Sequence, residues 1–86
     1  MESDIDELFK MISKDNDPLQ KFKHVEILIT KIKIKHGIEV PFKESSGGNV
    51  EVAKKLYMQG RYEECVYELR KVKSDIIKEL NSAYKK

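Results

Sequence analysis

One cysteine, Cys65, stands among 86 residues. A single thiol excludes an internal disulfide and suits a reducing compartment. No apolar run approaches the roughly 18 residues that a membrane span needs. Met1 is followed by Glu2, Asp4, Asp6 and Glu7 rather than a basic and then apolar run, so no secretory signal is expected. Charged residues make up 37% of the chain, yet the net charge is only +2. That balance excludes a strong bulk attraction to nucleic acid or to lipid. The expectation is a soluble, cytoplasmic protein with no membrane partner.

The means for catalysis are equally sparse. His24 and His36 stand twelve residues apart, whereas a metal pair on one helix face needs a spacing of three or four. They read as a surface histidine and a helix-end histidine. No base is paired with Cys65 by local spacing, and the thiol reads as a small buried hydrophobe. Asp15-Asn16-Asp17 and Glu63-Glu64 fit no calcium loop. The glycines before Asn49 lack the lysine of a phosphate-binding loop. No cofactor, no metal and no enzymatic activity is expected.

What the chain does have is helical periodicity, strongest over residues 49–84. Tyr62, Cys65, Val66, Leu69, Val72, Ile76, Leu80, Ala83 and Tyr84 recur at steps of three and four. They draw one apolar stripe along a long helix. Glu68 with Lys71, and Asp75 with Lys78, are spaced to pair on its solvated side. Tyr67 and Ile77 stand off the stripe, as scattered exposure or as part of a dimer seam. Val50, Ala53, Leu56 and Tyr57 mark a shorter helix before it, and Gly60 supplies the sharp reversal between the two. Two apolar faces so joined fold as an antiparallel hairpin.

The hairpin resembles a single tetratricopeptide (TPR) unit, a repeat of about 34 residues. Val52, Ala53 and Leu56 match its large-small-large set. Cys65 stands at its small-residue position and Leu69 at its aromatic one. Tyr57-Met58-Gln59-Gly60-Arg61-Tyr62-Glu63-Glu64-Cys65 is similar to its turn and second-helix start. Asn49 replaces the tryptophan and Ile77 the proline, and only one copy is present. In TPR units the first helix lines the ligand surface, so the resemblance implies a partner-binding row at Val50, Lys54, Tyr57 and Met58. That row mixes an aromatic, a thioether and a cation, which suits an amphipathic partner helix.

A single hairpin cannot hide both of its apolar faces. The preceding residues, or a second copy in a homodimer, must cover it. Residues 3–14 read as a short helix with Ile5, Leu8, Phe9 and Ile12 on one face and Ser3 as cap. Asp17-Pro18 starts a second helix, 17–36, with Phe22, Val25, Leu28, Ile29 and Ile32 inward. Ile27 and Ile34 lie off that face, which suggests neighbours on two sides. Gly37 is placed to end it, with Ile38 packing back. The alternation in residues 30–40 also fits a β-hairpin. Residues 37–48 form a linker, in which Ser45-Ser46-Gly47-Gly48 reads as flexible loop, and Asn49 or Ser46 caps the third helix.

Charge is uneven. Residues 1–18 hold two lysines against six acids, and residues 19–36 hold five lysines against one acid. Two antiparallel helices steering each other into register explain this most simply. The lysines of the second helix (Lys21, Lys23, Lys31, Lys33 and Lys35), clustered with Lys43 of the linker, are also the candidate contacts for nucleic acid or an acidic partner. The expected architecture is one all-α domain, a four-helix bundle of two antiparallel hairpins, 3–36 and 49–84, with helices near 3–14, 17–36, 49–60 and 61–84. The expected role is protein–protein interaction, as an adaptor or accessory subunit. The alternative is a nucleic-acid-binding accessory protein.

Overall fold

A computed structural model describes residues 4–41, 43 and 45–84, apart from the side chains of Ala83 and Tyr84. The expected cap at Ser3 and the last two positions of the α4 stripe lie outside that description. Four helices are present: α1 (Asp4–Lys14), α2 (Pro18–His36), α3 (Val50–Met58) and α4 (Tyr62–Tyr84). Among the described residues there is no strand. The α2 helix runs through Ile34 to His36, so the β-hairpin reading of residues 30–40 is set aside. The helical stripe that begins at Phe22 carries the segment.

The helix ends follow local chemistry. The Asp17 carboxylate accepts the Leu19 N–H at 3.1 Å, and Pro18 occupies the first helical turn. Gly37 adopts the left-handed conformation, φ 60° and ψ 40°, which a side chain would strain. The N–H of Ile38 then donates to the Lys33 carbonyl at 3.1 Å, and Ile38 folds back onto the core. Asn49 caps α3, accepting the N–H groups of Glu51 at 2.8 Å and Val52 at 3.3 Å. Arg61 N–H closes the α3–α4 turn by donating to the Leu56 carbonyl at 3.0 Å.

Each helix lies antiparallel to two neighbours. Lys31 reaches Asp4 at 3.6 Å and His24 meets Asp15 at 2.6 Å, which sets α1 against α2. His36 stacks on Tyr62, and Lys73 meets Glu26 at 4.0 Å, which sets α2 against α4. Phe9 packs on Tyr57 and Ser13 meets Glu51, which sets α1 against α3. The order around the bundle is therefore α1, α2, α4, α3. Ile5, Leu8, Phe9 and Ile12 of α1 and Val25, Leu28, Ile29 and Ile32 of α2 meet Ala53 of α3 and Cys65, Val66, Leu69, Val72 and Ile76 of α4 in one core. The N-terminal hairpin thus supplies the cover that the C-terminal hairpin lacks.

This order makes α2 and α3 run the same way, so the connector must travel the length of the bundle to reach the start of α3. It does so as a strap across the back of α4. Val40 is buried, and Arg70 of α4 donates to the carbonyls of Val40 at 2.7 Å and Pro41 at 2.9 Å. Further along, Lys78 donates to the Ser46 hydroxyl at 3.0 Å. The Asp75 carboxylate then takes the N–H groups of Gly47 and Gly48, each at 2.9 Å, and Glu68 takes that of Asn49 at 2.9 Å. The reading of Ser45 to Gly48 as flexible loop is therefore corrected: three successive amides are held by two carboxylates of α4. Gly48 is seated so closely that an added Cβ would fall onto the Val72 nitrogen, with the Glu68 carbonyl and Lys71 Cβ each at 2.7 Å. Asp75 accordingly serves the strap rather than pairing with Lys78, whereas Lys71 does meet Glu68, at 3.6 Å.

Candidate functional site

The implied TPR-like row is divided by the fold. Val50 and Tyr57 pack against the core, Lys54 is half-buried, and Met58 is 75% exposed. Tyr57 lies under the N-terminal hairpin. Its ring is 6.0 Å from that of Phe9 and 5.5 Å from that of His36, and its hydroxyl is 3.0 Å from His36 Nε2. His36 in turn stacks on Tyr62, with centroids 3.6 Å apart and planes 12° from parallel. His36 was expected as a simple helix-end residue; it is part of an aromatic seam that closes one end of the bundle. Desolvation, and then the neighbouring Lys35, lower its pKa below the ordinary 6.5. Tyr57 is shifted upward, chiefly by burial.

His24, read as a surface residue, is half-buried, with its Nδ1 against Asp15. The two histidines face different neighbours, α1 for one and the α3–α4 turn for the other. Among the described residues no group of three or more His, Cys, Asp or Glu side chains could hold a metal ion. Cys65 is fully buried, and desolvation, aided by Glu68, pushes its thiol up to about 12. It therefore lacks the thiolate character that nucleophilic chemistry needs.

The five lysines of α2 do not share one face. Lys31 turns to Asp4 of α1. Lys21 lines a hollow with Ile12, Glu51 and Asp75. Lys23 and Lys35 are exposed. Lys33 lies on the opposite flank, in the groove between α2 and α4. The helical period of 3.6 residues spreads positions 21, 23, 31, 33 and 35 around the helix.

That α2–α4 groove is the most chemically distinctive surface of the molecule. Its volume is about 400 Å³, and among the described residues it holds Lys33, Lys43, Arg70 and Lys73 beside a single carboxylate, Glu26. Its lining also includes Ile29 and Thr30 of α2 and Ser74 and Ile77 of α4. Lys73 also reaches over the Phe22 ring, 5.5 Å from its centroid. Sequence reading missed the groove because three of its four cations come from outside α2. Of the off-face isoleucines, Ile34 adjoins it. Ile27 is 45% and Ile34 77% exposed, so among the described residues they are not covered by a second neighbour, contrary to expectation. Ile34 continues the surface into an adjoining hollow with Thr30, Lys33 and Ile38. Across the groove Ile77, which stood off the α4 stripe, is 40% exposed, whereas Tyr67 packs on the core. Among the described residues no helix is long and apolar enough to cross a membrane. Comparisons with protein-family models, with curated proteins and with solved structures found no match, so the functional reading rests on this geometry.

Proposed function

We propose that the chain is a protein–protein interaction module, an adaptor or accessory subunit, and that its working surface is the outer side of α2 where it borders α4. The observation that carries this reading is the exposure of Ile27 and Ile34. They stand seven residues apart, two turns along one side of α2, and Ile77 lies on the opposite bank of the groove. A single exposed apolar residue is ordinary. Here two exposed isoleucines line up along one helix, and Ile34 adjoins a groove that Ile77 lines. Burying an isoleucine fully is worth about 1.5–3 kcal/mol, and within the chain that free energy stays unclaimed.

The row implied by the TPR resemblance supports the same class of function at a different place. Val50 and Tyr57 of that row already pack on the core, which leaves α2 as the better candidate. The alternative is nucleic-acid binding, favoured by the meeting of Lys33, Lys43, Arg70 and Lys73 in one groove.

A photo-crosslinking residue placed at Ile34, with one at exposed Lys55 as control, separates the readings in the source cells. A discrete protein adduct at position 34, absent at position 55 and lost when Ile27→Glu is added, supports the interaction surface. Adducts to nucleic acid, or none, overturn it. Titration with generic DNA and RNA provides the cross-check, because phosphate-driven binding falls steeply with salt.

A further inference from the structure

We infer that the occupant of the α2–α4 groove is an acidic amphipathic helix of another protein, its apolar stripe against Ile34, Ile29 and Ile77 and its carboxylates toward Lys33, Lys43 and Arg70. This rests on the reading of the α2 face as an interaction surface and adds the chemistry and register of the partner. The first ground is charge. Among the described residues four cations converge in the groove beside one carboxylate, Glu26. Glu26 lies 4.0 Å from Lys73, so the ion pair in the groove leaves Lys33 and Lys43 to an incoming anion. Arg70 is anchored by a single nitrogen, Nη1, which serves both strap carbonyls. The rest of that fork is preset for a carboxylate, which Arg holds in planar, paired fashion.

The second ground is shape. Ile77 and Ile29 line the groove, and Ile34 lines the hollow that joins it through the shared Thr30 and Lys33, so apolar positions run beside the cations as the two faces of an amphipathic helix require. A second copy of this chain is a poorer fit for the same surface. An isologous pair would set this cation-rich groove against its own copy, and opposed like charges disfavour such an interface.

The test uses the whole chain and three synthetic helical peptides with one shared leucine stripe. Their polar faces carry glutamate, lysine or glutamine. The glutamate peptide is expected to bind about tenfold more tightly than the glutamine peptide, as two or three partly exposed ion pairs supply, and the lysine peptide weakest. Raising salt from about 0.1 to 1 M shortens the screening length from ~10 to ~3 Å and should erase the glutamate advantage. Amide shifts should map to residues 26–38 and 70–77. Lys33→Glu with Lys43→Glu, both at exposed or half-exposed sites, should reverse the order of glutamate and lysine peptides while thermal stability holds. Arg70 is left intact because it also fastens the strap.

Equal binding of glutamate and glutamine peptides on this face overturns the acidic partner and leaves the interaction surface standing. Binding of none of the peptides, or shifts elsewhere, overturns the inference, and the Ile34 crosslink decides the broader reading independently. Salt-sensitive binding of generic RNA that depends on Lys33 and Lys43, without preference for the glutamate peptide, overturns both.

Discussion

Replacing Gly48 by alanine tests the seating of the strap on α4. The residue is not in the left-handed region, so backbone conformation costs little and the effect is steric. A Cβ there meets the Val72 nitrogen, the Glu68 carbonyl and Lys71 Cβ. Two of the three are helix backbone, and the third is the base of a side chain, so no flexible tip can swing aside. The strap must lift or α4 must deform, and overpacking of this kind costs about 1–3 kcal/mol. Lifting also stretches the amide bonds from Gly47 and Gly48 to Asp75 and from Asn49 to Glu68. Hydrogen bonds to charged acceptors contribute about 1.5–3 kcal/mol each when well formed, less at the partly exposed Asp75. Displacement of the strap is thus resisted from two sides, and a loss toward the upper end of the steric range is expected. For a domain of this size each kcal/mol lowers the thermal midpoint by about 4–8 °C. Urea unfolding of Gly48→Ala gives the value directly. Gly47→Ala is the comparison, because its φ of 85° brings conformational strain of roughly 1–2 kcal/mol with no atom within 4 Å of the added carbon. A Gly48→Ala midpoint within a few tenths of a kcal/mol of wild type would show that the strap is not seated on α4 and refute the reasoning.

Four further outcomes follow from the same packing. Leu69→Ala, at a fully buried site, should cost about 2–5 kcal/mol; a change no larger than that of exposed Lys55→Ala in urea unfolding would sink its core assignment. Asp75→Ala should cost about 1–3 kcal/mol and speed amide exchange at Gly47 and Gly48, so unchanged exchange there would remove Asp75 as the latch. His36 has a lowered folded pKa, so its stabilising contribution is full above the ordinary 6.5 and is lost as pH falls through the lowered folded value. Subtracting the pH–stability curve of His36→Gln from that of wild type should show that loss, and a difference that grows on acidification would contradict it. Cys65, its thiol raised to about 12 and buried, should react with a disulfide reagent only at the rate of opening of the fold, and fast labelling under native conditions would place it at the surface.

The helices, their caps and most of the core were legible in the sequence because each is a local matter. The stripe of Val25, Leu28, Ile29 and Ile32 fixes which side of α2 turns inward. Asp17-Pro18, Gly37 and Asn49 fix where helices start or stop. The opposite charges of the two N-terminal helices foretold their antiparallel pairing, seen in Lys31 with Asp4. The strap was not legible. Two serines and two glycines look the same whether they wander or are pinned, and the carboxylates that pin them lie 19 and 27 or 28 residues further along. Asp75 carried an apparent partner at Lys78, and nothing local says that its acceptors go to a backbone instead. The groove was hidden for a related reason: Lys33, Lys43, Arg70 and Lys73 come from two helices and the connector, and only the crossover brings them together.

That crossover also decides where a partner can bind. In a TPR unit the first helix of the hairpin offers its row to a ligand, because neighbouring repeats cover the remaining faces. Here the hairpin is covered by α1 and α2. Tyr57 is then drawn against Phe9 and His36 and Val50 against the core, so these two of the row's four residues serve in closing the bundle. The strap meanwhile occupies the back of α4, with α3 on one flank and α2 on the other. Exposed apolar side chains remain on every helix: Met11 of α1, Leu19, Ile27 and Ile34 of α2, Val52 and Met58 of α3, and Ile77 of α4. Among them Ile77 lines the α2–α4 groove and Ile34 the hollow that adjoins it, and the strap brings Lys43 to the same place. What sets this surface apart from the other exposed apolar positions is therefore the company of cations, which the crossover supplies.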